Sequence, residues 1–248
     1  MGCAVPGVLV PERDVGRDVR FGGAPAVPVV ALTFDDGPNG ACTAAVLDAL
    51  AATHARATFF VLGANVDAGG NDRVLARIVR EGHALGVHGY WHGVRRLFFR
   101  DLTGADLAHS VDAITAALAR VGLPPVPVRF FRPPFGFLLE PSARAADDVG
   151  LLVVEWTVSV GDWRPHRTAE DVVAAILAEA RAGDVIVLHD GDRTYQRSAR
   201  RCVDRPIVAD VVRQLVPALA ARGLHPAPLA QVLGLDPGPD LTAAAPAH

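Results

Sequence analysis

The sequence predicts an α/β fold, a mainly parallel β-sheet covered by helices. Three observations carry this prediction. Short apolar runs alternate with segments of helical pattern along most of the chain. Glycines stand where five of the six helices should stop. The length, 248 residues, accommodates about seven strand–helix units in one large domain with its own core. That number of units suits a barrel better than an open sheet, but the pattern alone does not choose between them.

The elements follow in order. Residues 1–26 are rich in Gly, Pro and Val and read as an N-terminal extension. The first strand is expected at Val29–Phe34, followed by a helix over 41–53. Ala57–Leu62 leads to a helix over 71–81, and Ala84–His88 to one over 103–121. Val128–Arg132 precedes a helix over 141–149. Leu151–Val158 precedes a helix over 168–181, where Thr168 and Asp171 form a start resembling a capping box. Asp184–His189 precedes a helix over 206–222, and a weaker seventh run lies near Leu224–Pro228. Gly82, Gly122, Gly150, Gly183 and Gly223 mark the helix ends. The folded domain is placed at 27–235, and residues 236–248 (DPGPDLTAAAPAH) read as a disordered tail.

Composition narrows the function. Half the residues are hydrophobic and 21% are charged, with a net charge of −3, so neither a general nucleic-acid binder nor a membrane-surface binder is expected. The absence of lysine excludes a lysine nucleophile or Schiff base. Cys3, Cys42 and Cys202 are far apart, odd in number and without zinc-ligand spacing. They are expected to be reduced thiols. Met1–Val10 is apolar but lacks a basic start and is broken by Pro6, so no secretory signal is read there. No run is long enough to span a bilayer. A cytoplasmic location is the simplest expectation.

In parallel α/β folds the reactive site lies at the C-terminal ends of the strands. The chemically loaded residues of this chain fall there repeatedly. The first run ends in Asp35-Asp36-Gly37-Pro38. Adjacent carboxylates behind a buried strand are costly unless a cation or a hydrogen-bond network holds them. The third ends in His88, with His92 four residues on. Two such imidazoles can converge on one ion if the backbone turns helically, and with a carboxylate they make a common divalent-metal set. The fourth runs into Arg132-Pro133-Pro134-Phe135-Gly136, where an arginine could grip a carboxylate. The fifth leads to Asp162 and Trp163, and the sixth delivers His189 and Asp190. A histidine there is a candidate proton donor, and a tryptophan beside a site is a natural sugar platform. Each feature alone has an ordinary structural explanation: a turn, a surface histidine, a core histidine. Together they are the parts needed for hydrolysis by a metal-activated water.

The order of these motifs resembles the polysaccharide deacetylases, the carbohydrate esterase family of chitin, peptidoglycan and nodulation-factor deacetylases. The matching segments are TFDDGP at 33–38, EGHALGVHGYWH at 81–92, FRPPFG at 131–136, GDW at 161–163 and VLHD at 187–190. The resemblance runs from about Val29 to Leu233 and implies a distorted (β/α) barrel of about seven strands. It implies that Asp36, His88 and His92 bind one divalent metal, zinc above all, with Co2+, Ni2+ or Mn2+ as alternatives. Asp35 would be the general base and His189 the acid that protonates the leaving amine. Arg132 would position Asp35, Asp162 would orient His189, Trp163 would wall the sugar groove, and the Phe135 N–H would meet the oxyanion. The implied substrate is an N-acetylated sugar or glycan. The strand of His189 is expected opposite that of Asp35 if the barrel closes. Two positions depart from the family pattern: Gly89 replaces Ser or Thr, and Phe135 replaces Tyr. Hydrolysis of non-sugar amides and non-catalytic carbohydrate binding are the alternatives; the intact Asp36, His88, His92 set argues against the first, and the presence of both the ligands and the base argues against the second.

Overall fold

A computed structural model describes residues 19–191, 202–203 and 205–236. Its strands are β1 (Val19–Arg20), β2 (Val29–Asp35), β3 (Thr58–Val61), β4 (Ala84–Val87), β5 (Phe130–Phe131), β6 (Leu152–Val154), β7 (Val158–Ser159), β8 (Val185–His189) and β9 (His225–Pro226). The helices are α1 (Gly40–Ala52), α2 (Gly63–Asp67), α3 (Asp72–Arg80), α4 (Arg100–Arg120), α5 (Glu140–Asp148), α6 (Ala169–Glu179), α7 (Val208–Ala221) and α8 (Leu229–Val232). The strands pair in the order β1-β6-β5-β4-β3-β2-β8-β7, with β9 against the start of β2. Every ladder is parallel. Among the described residues no ladder joins β7 to β1, so the expected barrel is distorted and open at that seam.

β2 shows why the strands read as continuous apolar runs. All of its residues are buried, because both faces are covered. Val30, Leu32 and Phe34 pack outward in the same core as Val46, Leu47 and Leu50 of α1. Val29 and Ala31 point inward to a second core with Phe60, Phe130 and Val154, closed by Leu229 and Val232 of α8. The alternation of faces is the two-residue period of a strand. Helix starts and stops follow the sequence closely. Thr168 Oγ1 accepts from the Asp171 N–H at 3.2 Å, and the Asp171 carboxylate accepts from the Thr168 N–H at 3.1 Å.

The structure departs from expectation in several places. The single run Leu151–Val158 is two strands, β6 and β7, because the chain leaves the ladder at Glu155–Thr157. There the carbonyls of Val154 and Glu155 accept from buried Arg132, each at 3.1 Å. Val19 and Arg20, placed in the N-terminal extension, pair with Val153 and Val154. The rest of that extension through residue 18, and the tail beyond Asp236, lie outside the described residues.

The reduced-thiol expectation is corrected: Cys42 and Cys202 form a disulfide across a sequence separation of 160. Spacing could not reveal it, because pairing depends on the spatial approach of the two Cα atoms, here 4.3 Å. Cys3 lies outside the described residues. With Cys42 and Cys202 paired, the thiols no longer support a reducing compartment. No helix among the described residues is long and apolar enough to cross a membrane.

Candidate active site

β2, β4 and β8 run parallel, so their C-terminal ends open at the same rim. β2 ends at Asp35, β8 at His189, and His88 follows β4 directly. A cavity of about 570 Å³ lies there, lined by Asp35, Asp36, His88, His92, His189 and the rings of Phe135 and Trp163. Its volume suits a small organic ligand such as a sugar unit. Arg132 and Asp162 are buried behind this wall. The structure therefore brings all the sequence-expected site residues to one place. His83, close by in sequence, does not join them: it is buried, and its Nδ1 accepts from the Ala57 N–H.

Asp36 sits at a left-handed φ of 76°, outside the extended geometry of β2, and lines the same cavity as Asp35. The loop is tied down by Asn65, which donates to the Asp36 carbonyl at 2.8 Å, and Asn71, which donates to the Pro38 carbonyl at 3.0 Å. Asp36 Oδ1 lies 3.6 Å from His88 Nε2 and 3.3 Å from His92 Nε2. The potential ligand atoms of the three residues are all within 4.8 Å of one another. His88 Nδ1 lies 2.8 Å from the Arg132 carbonyl. A carbonyl can only accept, so Nδ1 carries the proton and Nε2 presents a lone pair to the cluster. Burial pushes the His88 pKa down to about 3, which keeps the imidazole neutral, as a metal ligand must be. These donors fit a divalent ion of the zinc type.

The histidines do not converge through a helical turn. Gly89 takes a φ of 90°, and a Cβ there would stand 3.3 Å from the Trp91 carbonyl oxygen. The Ser or Thr of the family pattern would be strained in this loop. Phe135, also left-handed at φ 62°, lays its ring edge-on to His92 at 4.2 Å between centroids.

Arg132 is fully buried and its guanidinium is used on every side. Nη1 donates to Asp35 Oδ1 and to Thr33 Oγ1, both at 2.8 Å. Nε and Nη2 donate to the Val154 and Glu155 carbonyls, and the Phe60 ring lies 4.1 Å below. Such a network holds the Asp35 carboxylate in one orientation. Asp162 grips His189 twice: Oδ2 accepts from its backbone N–H and Oδ1 from Nδ1, each at 2.9 Å. Burial opposes a charge on His189, but Asp162, with Asp36 and Asp35 behind it, outweighs burial and holds the pKa up at about 9. The imidazolium can therefore persist at neutral pH and present Nε2–H to the cavity. Trp163 meets the same ring edge-on at 4.8 Å.

β8 is hydrogen-bonded directly to β2, and Asp35 is register partner to His189. The expectation that their strands face each other across the barrel is thus corrected. Two buried acids had no role in the sequence reading: Asp190, noted only as the neighbour of His189, and Glu155, not singled out at all. Asp190 Oδ2 accepts from Thr43 Oγ1 at 2.5 Å and lies where a Cβ on Gly37 would be, 2.4 Å away. That contact is why the Asp-Asp turn requires glycine. Burial pushes the Asp190 pKa up to about 7, against the Thr43 hydrogen bond and helped by Asp36. Glu155 is fully buried and neither of its carboxyl oxygens has a hydrogen-bond partner among the described residues. Burial pushes its pKa to about 8, opposed by Arg132 and reinforced by Asp35. The signal for it was in the sequence: one charge inside an otherwise apolar run.

Comparison with known proteins identifies the family and the fold. Residues 22–154 match the polysaccharide deacetylase family model. A chitooligosaccharide deacetylase of Bradyrhizobium sp. is 34% identical over 226 residues, spanning 89% of this chain and 97% of that protein. Among solved structures, the Bc1960 peptidoglycan N-acetylglucosamine deacetylase superposes with a TM-score of 0.77 at 25% identity, covering 92% of this chain and 98% of its own. A family 4 acetyl xylan esterase from Clostridium thermocellum, in complex with a cobalt ion, gives a TM-score of 0.70 at 28% identity, covering 84% and 93%. The chain belongs to the polysaccharide deacetylase family and is an enzyme of that family.

Proposed function

We propose that the protein removes an N-acyl group, acetyl above all, from an amino sugar, an oligosaccharide or a sugar-bearing small molecule. The observation that carries this is the flanking of the Asp36, His88, His92 cluster by two oriented proton-transfer groups. One is Asp35 held by Arg132, and the other is His189 held by Asp162. Asp36, His88 and His92 would hold one divalent ion, zinc or otherwise Co2+, Ni2+ or Mn2+. When bound, that ion supplies Lewis acidity to the attacking water and the acyl oxygen.

The protein's own residues do the rest. Asp35 takes a proton from the attacking water, and Arg132 keeps its carboxylate aimed at the cavity. His189 gives its Nε2 proton to the nitrogen as the C–N bond breaks, and Asp162 fixes its ring. An amide requires both transfers, because an unprotonated amine is a poor leaving group. Trp163 walls the place where a sugar ring would stack, and the Phe135 N–H is assigned to the oxyanion. The names of the relatives, chitooligosaccharide deacetylase and peptidoglycan N-acetylglucosamine deacetylase, support an N-acetylated amino sugar, and the cobalt ion of the xylan esterase structure supports a divalent ion.

The test is a screen of N-acetylated sugars for released acetate, with and without a chelator. Acetate release that stops on chelation and returns with Zn2+ is expected. No release from any sugar by the metal-loaded protein, or release indifferent to chelation, overturns the reading.

A further inference from the structure

The acid–base and metal-ligand residues do not account for all the charge in the cavity. Arg164 and Arg205 also line it, and neither has a part in the proton transfers. Arg164 follows Trp163 in a tight turn, its N–H donating to the Gly161 carbonyl at 3.1 Å. Its side chain folds back across Gly161: a Cβ at that position would stand 2.8 Å from Nε and 3.0 Å from Cδ of Arg164. Gly161, at φ 68°, thus leaves the space through which the guanidinium reaches the cavity.

Several other surface arginines of this chain are paired with carboxylates. Arg77 pairs with Asp48 and Glu81, Arg100 with Asp148, and Arg120 with Asp72. Among the described residues, the Arg164 side chain has neither a carboxylate nor a hydrogen-bond acceptor within reach. The acids that line the cavity, Asp35 and Asp36, are taken by Arg132 and by the histidine cluster. Beside Arg164, Trp163 is 45% exposed and touches the ring of His189. A sugar stacked on Trp163, with its acylated nitrogen at His189, would share its cavity with Arg164. A planar fork of N–H donors suits a carboxylate or a phosphate, which it can grip through two hydrogen bonds.

We propose that Arg164 is a specificity-determining residue that makes the site prefer N-acyl amino sugars bearing an anionic group, carboxylate or phosphate. The inference rests on the deacetylase reading above. It is tested with the metal-loaded enzyme on N-acetylglucosamine as the neutral sugar, N-acetylmuramic acid as the carboxylate and N-acetylglucosamine 6-phosphate as the phosphate. kcat/KM is measured for wild type and Arg164→Gln at low and high salt.

Wild type should prefer one of the acids by about tenfold, and Arg164→Gln should bring the acid-to-neutral ratio down by about the same factor. The preferred acid identifies the anion, and high salt should shrink the ratio in wild type more than in the variant. A ratio near one in wild type, or a ratio that Arg164→Gln leaves unchanged, overturns the inference while acetate release from the neutral sugar leaves the deacetylase reading standing. No acetate from any of the three sugars overturns that reading, and the inference with it.

Discussion

Asp35 and His189 occupy the same rung of two adjacent parallel strands, and each is held from behind by a buried partner of opposite charge. Arg132 holds the first and Asp162 the second. Asp35 and His189, the proposed base and acid, are thus fixed side by side at one rim by the β2–β8 ladder, which allows little drift between them.

Asp35→Asn should keep the metal content near normal and lower turnover by roughly 10²–10⁴-fold, because it removes a proton acceptor and not a ligand. Asparagine can still accept from Arg132. Asp35→Ala cannot, and leaves a fully buried guanidinium without its counter-ion, at a cost of about 3–5 kcal/mol in stability. Metal analysis, acetate kinetics and urea unfolding of both variants check this. Loss of metal by Asp35→Asn as complete as in His88→Ala would reverse the division of labour between Asp35 and Asp36.

His189→Ala should slow an amide far more than an activated aryl ester. The aryl oxide leaves unaided, whereas the amine must be protonated as it departs. Both substrates are to be assayed on wild type and variant. An equal drop would assign His189 to binding or structure instead of acid catalysis.

Glu155 makes stability depend on pH. Its pKa is about 8 in the fold against 4.5 in the open chain, so folded protein keeps a proton that unfolded protein releases. The contribution is complete below pH 4.5 and is lost as pH rises toward 8, with a magnitude on the order of a few kcal/mol. Glu155→Gln should flatten that decline. Urea midpoints measured from pH 4.5 to 8.5 decide the matter, and parallel curves for the two proteins would contradict it.

The Cys42–Cys202 disulfide closes a long loop, so removing it should cost about 2–4 kcal/mol, or roughly 4–16 °C in Tm. Cys202→Ser and a reducing agent should act alike and not add. If the reducing agent lowers the Tm of Cys202→Ser as much as that of wild type, the bridge is not what holds this part of the chain.

Much of this was legible in one dimension. The apolar runs, the Thr168–Asp171 cap and the Asp35, Asp36, His88, His92 and His189 strand-end residues are local signals, and local physics places them. What was not legible depends on partners far along the chain. At the split of β6 from β7 the carbonyls of Val154 and Glu155 accept from Arg132, a residue more than twenty positions away in the chain. The cysteine pair is set by the approach of the first turn of α1 to the segment before α7. The adjacency of Asp35 and His189 follows from strand order, which no repeat of strand and helix specifies.

The pairing of Val19–Arg20 with β6 also moves the practical edge of the domain. A chain trimmed to start at residue 27 would strip β6 of its outer neighbour. The Glu155 N–H would lose the Arg20 carbonyl to which it donates at 2.9 Å. A bare strand edge invites pairing with other molecules, and this one adjoins the carbonyls that anchor Arg132. Such a truncation should therefore show up as self-association and a loosened Asp35–Arg132 pair, although every proposed catalytic side chain is still in the sequence.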